Sequence, residues 1–439
     1  MKMKRNGVAA GLARLVLLLG ILGGSAAVAF AAGPQSTGRP KATRAEYDAY
    51  QAAAAEKSPQ QKVKLLDDFV AKYPNSEYLA FVYSDYWQAY AALRQYTKVI
   101  DYLDKLLALS ELNEGGRLEA QYRRAATFEY AYNAKSANLN EQATKGRDAA
   151  LDGLKILNSF QKPAQATDEQ WNAAKKQYMT QFYNTAAICS LYLKDYKTAA
   201  EQFRASLAVD PNQPGDDYRL GVADLQISPP DSVGGFWALA RAIDLKIPDA
   251  DKVTKFLHDK IYEYQQPGCE SLVDVQIKEL LALAQNSPDR PAGYSIPSAA
   301  DLGKVREQAN IQTVLADLKA GGDKGKLTWL AVCSGEFPEA LAKAYEVNAA
   351  TPDAIVMKAG LGTSEEELNA GTAPNGDLKI AGQPTAARLE KDSIFRFSGK
   401  LTGYTPDPFY LTWENVKVNP EDIPEEKGKK PVKRPGKKP

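Results

Sequence analysis

The sequence predicts a mainly helical chain, an α-solenoid of helix pairs followed by a small β-rich domain. Three observations carry that expectation. Apolar and small residues recur at three- and four-residue steps between residues 183 and 211. The same internal spacing returns a hundred residues upstream. Beyond Gly321-Gly322 the period shortens to two, the period of strands.

Residues 1–31 read as a cleaved signal peptide. Lys2, Lys4 and Arg5 form a basic start, Leu15 to Leu22 an apolar core, and Ala29-Phe30-Ala31 a small-x-small cleavage site before Ala32. No later segment is long and apolar enough to span a bilayer, so the expected location is periplasmic or secreted. Residues 32–41 are a Gly/Pro/Ser linker.

Helical repeats are expected over 42–246. Tyr47 to Ala55 and Val63 to Lys72 form a first pair, with Ser58-Pro59-Gln60-Gln61 as a capping box and Pro at the first helical position. Glu77 to Leu109 holds a second pair. Residues 117 to 158 hold a third, with a long polar connection from Asn133 to Lys145. Thr167 to Gln170 caps a long helix running into the clearest unit, Tyr183 to Pro211. In that unit Ala187 and Ala199 let two helices approach closely, Phe203 fills the gap toward the next pair, and Tyr183 packs from the other side. Tyr196 continues the stripe. Lys194-Asp195 makes the turn, and Pro211, lacking an amide proton, ends the second helix. Upstream, Tyr83 and Tyr96 repeat the spacing of Tyr183 and Tyr196, and Leu103 stands where Phe203 does. Trp87 occupies the small-residue position. Leu220-Gly221 and Phe236 to Leu245 form a further unit, interrupted by a loop at Ser228-Pro229-Pro230.

At these positions the chain resembles the tetratricopeptide repeat proteins exported by Gram-negative bacteria. The resemblance covers about residues 42 to 246. It implies stacked helix pairs whose first helices line a groove for a protein partner. Tyr83, Tyr86, Tyr90, Tyr122, Tyr130 and Tyr183 are the candidate groove residues, since tyrosine offers area and a hydroxyl at low entropic cost.

Residues 247–320 are expected to be further helices closing the stack. Val253, Phe256, Leu257 and Ile261 form one stripe, and Leu272, Val275 and Leu280 another. Ser298 to Asp301 caps a helix reaching Leu318. Residues 321–420 form the β-rich domain. Lys326 to Val332 suits strand or helix, whereas Leu341 to Val347, Ala354 to Lys358 and Leu378 to Ala381 read as strands. Phe395, Phe397 and Leu401 alternate with polar residues, as do Phe409, Leu411 and Trp413, and Gly399 marks a bulge. Phe397 to Tyr404 followed by Phe409 to Trp413 resembles an oligonucleotide/oligosaccharide-binding (OB-like) barrel hairpin. Residues 421–439 are a Pro/Gly/Lys tail unable to build a core.

The charge layout bears on partners. The chain of 439 residues has a net charge of +1. Four bases lie in the leader and seven at the end, which leaves residues 32 to 426 at −10. An acidic body does not suit general nucleic-acid binding. The basic tail could contact an anionic envelope surface or serve as a solubilising end. Export allows one internal disulfide among Cys189, Cys269 and Cys333, with one thiol left over. Cys189, beside the small-residue seam, reads as a buried apolar residue.

Catalytic chemistry finds little footing. His258, the only histidine, stands off the apolar stripe, and no nucleophile elbow accompanies it. Gly321 to Lys326 superficially resembles a phosphate loop, but Leu327 stands where a hydroxyl is required. Glu365, Glu366 and Glu367 suit a helix start. No catalytic residue, cofactor or metal site is expected. The leading expectation is an exported, non-catalytic scaffold that binds a protein. A glycan- or oligonucleotide-binding barrel is the alternative, and a carboxylate-based hydrolase a third.

Overall fold

A computed structural model describes residues 42–266, 268–351, 354–371 and 373–425. The leader, the linker and the tail from residue 426 lie outside the described residues. The chain divides into two compact units, one of residues 1–257 and 279–292, the other of residues 258–278 and 293–439.

The first unit is a run of helix pairs: α1 (Arg44–Ala55) with α2 (Pro59–Lys72), α3 (Leu79–Ala92) with α4 (Tyr96–Leu107), α5 (Glu114–Ala131) with α6 (Leu139–Ser159), α7 (Asp168–Tyr192) with α8 (Tyr196–Val209), and α9 (Pro214–Asp224) with α10 (Ser232–Asp244). Each first helix packs on its own second helix, and each second helix on the next first helix. The pairs are tetratricopeptide-like, as their seams show. Ala187, Ala199 and Phe203 are fully buried, and one cluster runs from Ile100 through Phe128, Ala187 and Phe203 to Leu220 and Ala238. No pair holds its apolar face alone.

The two best-matched pairs share their turn in atomic detail. Leu93 N–H donates to Ala89 O and Leu193 N–H to Cys189 O, both at 3.0 Å. Gln95 N–H reaches Tyr90 O and Asp195 N–H reaches Ser190 O, both at 2.9 Å. The residue between is left-handed in each, Arg94 at φ 56° and Lys194 at φ 60°. In the last pair the close approach is made by glycines. A Cβ on Gly221 would meet Gly235 O at 2.9 Å. Asp231 caps α10 as Asp195 caps α8, each accepting from the amide three residues on. Gly235 therefore stands where Ala199 does, and the Pro-containing loop is an insertion ahead of it.

Several expectations need correcting. Ser58 caps α2 by accepting from Gln61 N–H at 3.4 Å, but Ser58 N–H donates to Glu56 rather than to Gln61, so the box is half formed. The boxes at Thr167 and Ser298 are complete. The third pair is joined by residues 132–138, because α6 starts at Leu139. Trp87 does not fill a close seam; it is half-buried at the edge of the α3–α4 cluster. Tyr196 is half-buried and Pro211 exposed, just past the end of α8.

Two further helices follow, α11 (Ala250–Gln265) and α12 (Val273–Asn286), and the division between the units falls within each. Val253, Leu257, Ile261 and Leu280 are buried as their stripes predict, Phe256 and Leu272 are half-buried and Val275 is exposed; α12 also buries Val273, Ile277 and Ala284. In the first unit, Arg241 of α10 donates to Ala284 O at 2.8 Å and Trp237 to Pro288 O at 3.2 Å.

The second unit centres on a closed five-stranded barrel. Its strands are β1 (Glu336–Thr351), β2 (Ala354–Gly362), β3 (Gly376–Ala381), β4 (Ile394–Pro406) and β5 (Phe409–Val418), in the order β1-β2-β3-β5-β4, with β4 returning to β1. Among the described residues only β3 and β5 run parallel. Phe395, Phe397, Leu411 and Trp413 fill the interior. The register slips between Ser398 and Lys400, so Gly399 is the bulge its sequence position predicts. A short helix, α16 (Glu365–Asn369), follows β2.

The helices of residues 247–320 were expected to close the solenoid. Instead α13 (Ala299–Gln308) and α14 (Ile311–Ala320) contribute Leu302, Val314, Leu315 and Leu318 to the barrel's own core, to which α15 (Gly322–Val332) adds Val332. The helix expected from Ser298 to Leu318 is broken in two. Asn310 caps α14 by accepting from Thr313 N–H at 2.9 Å, and Thr313 Oγ1 accepts from Asn310 N–H at 3.1 Å. The ambiguous Lys326 to Val332 segment is helix. The C-terminal tail also starts later than expected. Asp422 takes two bonds from the Arg396 side chain and one from its backbone N–H, and Ile423 packs on the barrel core.

Cys269 and Cys333 are bonded to each other, tying residues 258–278 to the end of α15. Cys189 is a buried free thiol.

Candidate binding cleft

First helices of successive pairs bring their exposed faces to one side. In the first unit, α5, α7 and α9 line a cleft of about 710 Å³, with Trp87, Ala91 and Tyr96 of the α3–α4 pair at its edge. Small residues turned away from it, such as Ala187 on α7, are buried in the stack. The side chains that meet solvent are therefore long, polar or aromatic.

The cleft wall is aromatic. Trp87, Tyr96, Tyr122, Tyr130, Tyr132 and Tyr192 line it. Tyr96 and Tyr130 meet with ring centroids 5.1 Å apart. The Arg123 guanidinium lies over both Trp87, at 5.7 Å, and Tyr122, at 5.6 Å.

The floor is polar and largely engaged. Three cations line it, and each has a carboxylate partner: Arg123 with Glu119 at 2.6 Å, Arg219 with Glu129 at 2.7 Å, and Lys176 with Asp210 at 3.3 Å. On α7, Gln177 donates to the Tyr122 hydroxyl at 2.7 Å and Gln181 to Thr185 Oγ1 at 3.1 Å. Asn184 donates to Asp216, and Ser206 Oγ donates to the other Asp216 oxygen at 2.7 Å. Asp216 is 3% exposed, and burial holds its carboxyl above the usual range against those two donors. It thus ties α7, α8 and α9 together behind the cleft.

Asp217 and Asp224, further along α9, are buried as well. Burial raises Asp217 to about 7, against the opposing pull of Arg241. It raises Asp224 to about 6 despite the Arg204 guanidinium at 2.7 Å.

Of the six candidate tyrosines, the cleft gathers Tyr122 and Tyr130. Tyr86 is a core residue. Its hydroxyl donates to Asp67 at 2.6 Å and its ring stacks on Tyr102 at 4.0 Å. Tyr83 and Tyr90 join the same ring cluster around Tyr102. Tyr183 is half-buried against the α5–α7 core. The set therefore divides between packing and cleft. Sequence reading missed the amides Gln177, Gln181 and Asn184. Their steps of four and three put them on one face of α7, a polar stripe visible beside Tyr183.

His258 lies 3.5 Å from Asp259 and 3.9 Å from Asp274. Gly321 and Gly322, both at positive φ, are the turn between α14 and α15. Glu365 to Glu367 form the first turn of α16, capped by Ser364.

No family model matches the chain, and no curated protein matches it. Among solved structures it is similar to one titled "MamA RS-1 ArsTM double mutant", 14% identical, covering 49% of this chain and 92% of that one with a TM-score of 0.26. It is also similar to the TPR2AB-domain:pHSP90-complex of yeast Sti1, 14% identical, covering 55% of this chain and 86% of that one with a TM-score of 0.17.

Proposed function

We propose that the chain is an exported, non-catalytic scaffold that binds a protein partner in the cleft of α5, α7 and α9. The observation that carries this reading is the cleft itself, open, aromatic-walled and built from the first helices of successive pairs. Aromatic walls around a polar floor suit the side chains and backbone of a polypeptide. The Cys269–Cys333 bond supports export, since such bonds persist in oxidising compartments.

The barrel offers less to a nucleic acid. On the outer face of β1, β2, β3 and β5, Lys358 meets Glu346 at 3.4 Å and Lys379 meets Glu414 at 3.0 Å, while Tyr410 is bonded to Asp377 at 2.8 Å. A single-strand platform needs unneutralised cations and stacked aromatic rings; here Lys358 and Lys379 are neutralised and Tyr410 is engaged, which leaves Lys417, bonded to the Ala381 carbonyl, so the helical cleft is the stronger candidate.

A photo-crosslinking residue at Tyr130, compared with one at exposed Glu201 on α8, tests the cleft. The reading expects a protein adduct from position 130 and none from 201; equal or absent labelling would count against it. N-terminal sequencing of the protein recovered from the envelope or medium tests export, and a start at Ala32 is expected.

A further inference from the structure

We infer that the cleft takes an internal, uncharged stretch of its partner's chain in extended form, held by its main chain rather than by a terminal or side-chain charge. This rests on the cleft being the binding site. Gln177, Gln181 and Asn184 line it from one face of α7. Seven residues of helix span about 10 Å, the length of about three extended residues. Each of the three amide nitrogens is already directed to a partner: the Tyr122 hydroxyl, Thr185 Oγ1 and Asp216. Asp216 accepts from both Asn184 and Ser206, which fixes the Asn184 amide with its oxygen turned away from that carboxyl. Among the described residues none of the three amide oxygens accepts a hydrogen bond, so the row presents acceptors. Main-chain N–H groups on one side of an extended segment are donors about every 6.7 Å, close to the rise of about 6 Å from Gln177 to Gln181.

The charges argue the same way from the other side. Arg123, Lys176 and Arg219 are bonded to Glu119, Asp210 and Glu129. A terminal carboxylate or an acidic side chain would have to displace one of those acids. Asp216 is buried and doubly bonded, so a lysine or arginine gains no open counter-ion there. Between the aromatic walls, apolar or aromatic side chains remain the ones that fit.

Random peptides displayed either within a constrained loop or at a free C-terminus, panned on the full chain, test this. The expected result is enrichment of loop-displayed sequences without charge preference. Their affinity should fall about thirtyfold in the Gln177→Ala/Gln181→Ala variant, from two lost bonds of roughly 1 kcal/mol each, with that variant's thermal unfolding used to confirm that it folds. It should change less than about twofold in about 0.5 M salt. Enrichment of free C-termini or of charged sequences, lost in Tyr130→Ala, would overturn this inference while leaving the cleft as the binding site. Absence of any peptide sensitive to Tyr130→Ala would overturn both.

Discussion

Arg94, Lys194 and Lys246 each hold a left-handed backbone at the residue after a helix cap, at φ 56°, 60° and 58°. A residue with a Cβ is disfavoured there by about 1 kcal/mol relative to glycine. The Lys194 side chain is exposed, so Lys194→Gly should stabilise the first unit by about 0.5–1 kcal/mol, read as a raised midpoint in urea. Lys194-Asp195 was recognisable as a turn from sequence, but its handedness was not, since it follows from the bonds that Leu193 and Asp195 N–H groups make to the preceding helix. Asp217 gives a pH-dependent prediction. Its folded value of about 7 lies above the ordinary carboxyl value. Its contribution to stability is therefore complete below about pH 4 and is lost as pH rises through 7. Asp217→Asn removes that loss. The stability of the variant relative to the parent should rise between pH 4 and 8, by on the order of 3 kcal/mol. Urea titrations of both proteins across that range would check the sign.

At the scale of the helix pair, stability depends on how closely two axes approach. Gly221 and Gly235 replace the alanines of the clearer unit, and their backbones nearly touch. Gly221→Val would drive side-chain atoms into Gly235 O and Leu239, and should cost about 2–3 kcal/mol, measurable by thermal unfolding. A change at Gly303, where nothing lies within 4 Å of an added Cβ, is the matched control. Pairing was readable from sequence because Ala187, Ala199 and Phe203 keep fixed spacings wherever two helices meet. The destination of α13 to α15 was not. An apolar stripe says that a face is buried but not against what, and Leu302, Val314 and Leu318 suit a barrel as well as a solenoid. The same ambiguity hid the cleft: Tyr86 and Tyr122 both stand on first helices, yet one turns to Asp67 and Tyr102 and the other to Gln177.

For the whole molecule, the covalent reinforcement found among the described residues lies in the second unit. The Cys269–Cys333 bond closes a loop with a sequence separation of 64, which in the chain-entropy treatment stabilises by about 4 kcal/mol. Cys333→Ala or reduction should therefore lower the denaturant midpoint of the barrel's Trp413 fluorescence, while the free, buried Cys189 of the first unit stays unreactive to thiol reagents until that unit unfolds. The acidic body and basic ends were plain in the composition. What composition could not show is that the cations of the cleft are neutralised in place by Glu119, Glu129 and Asp210. That arrangement has a kinetic consequence. Cations paired in place give the cleft little field of its own with which to guide an uncharged segment in, so encounters should proceed by unsteered diffusion at about 10⁵–10⁶ M⁻¹s⁻¹ and vary little with ionic strength. Stopped-flow association across a salt series should be nearly flat, and differences between partners should be found in how long each one stays.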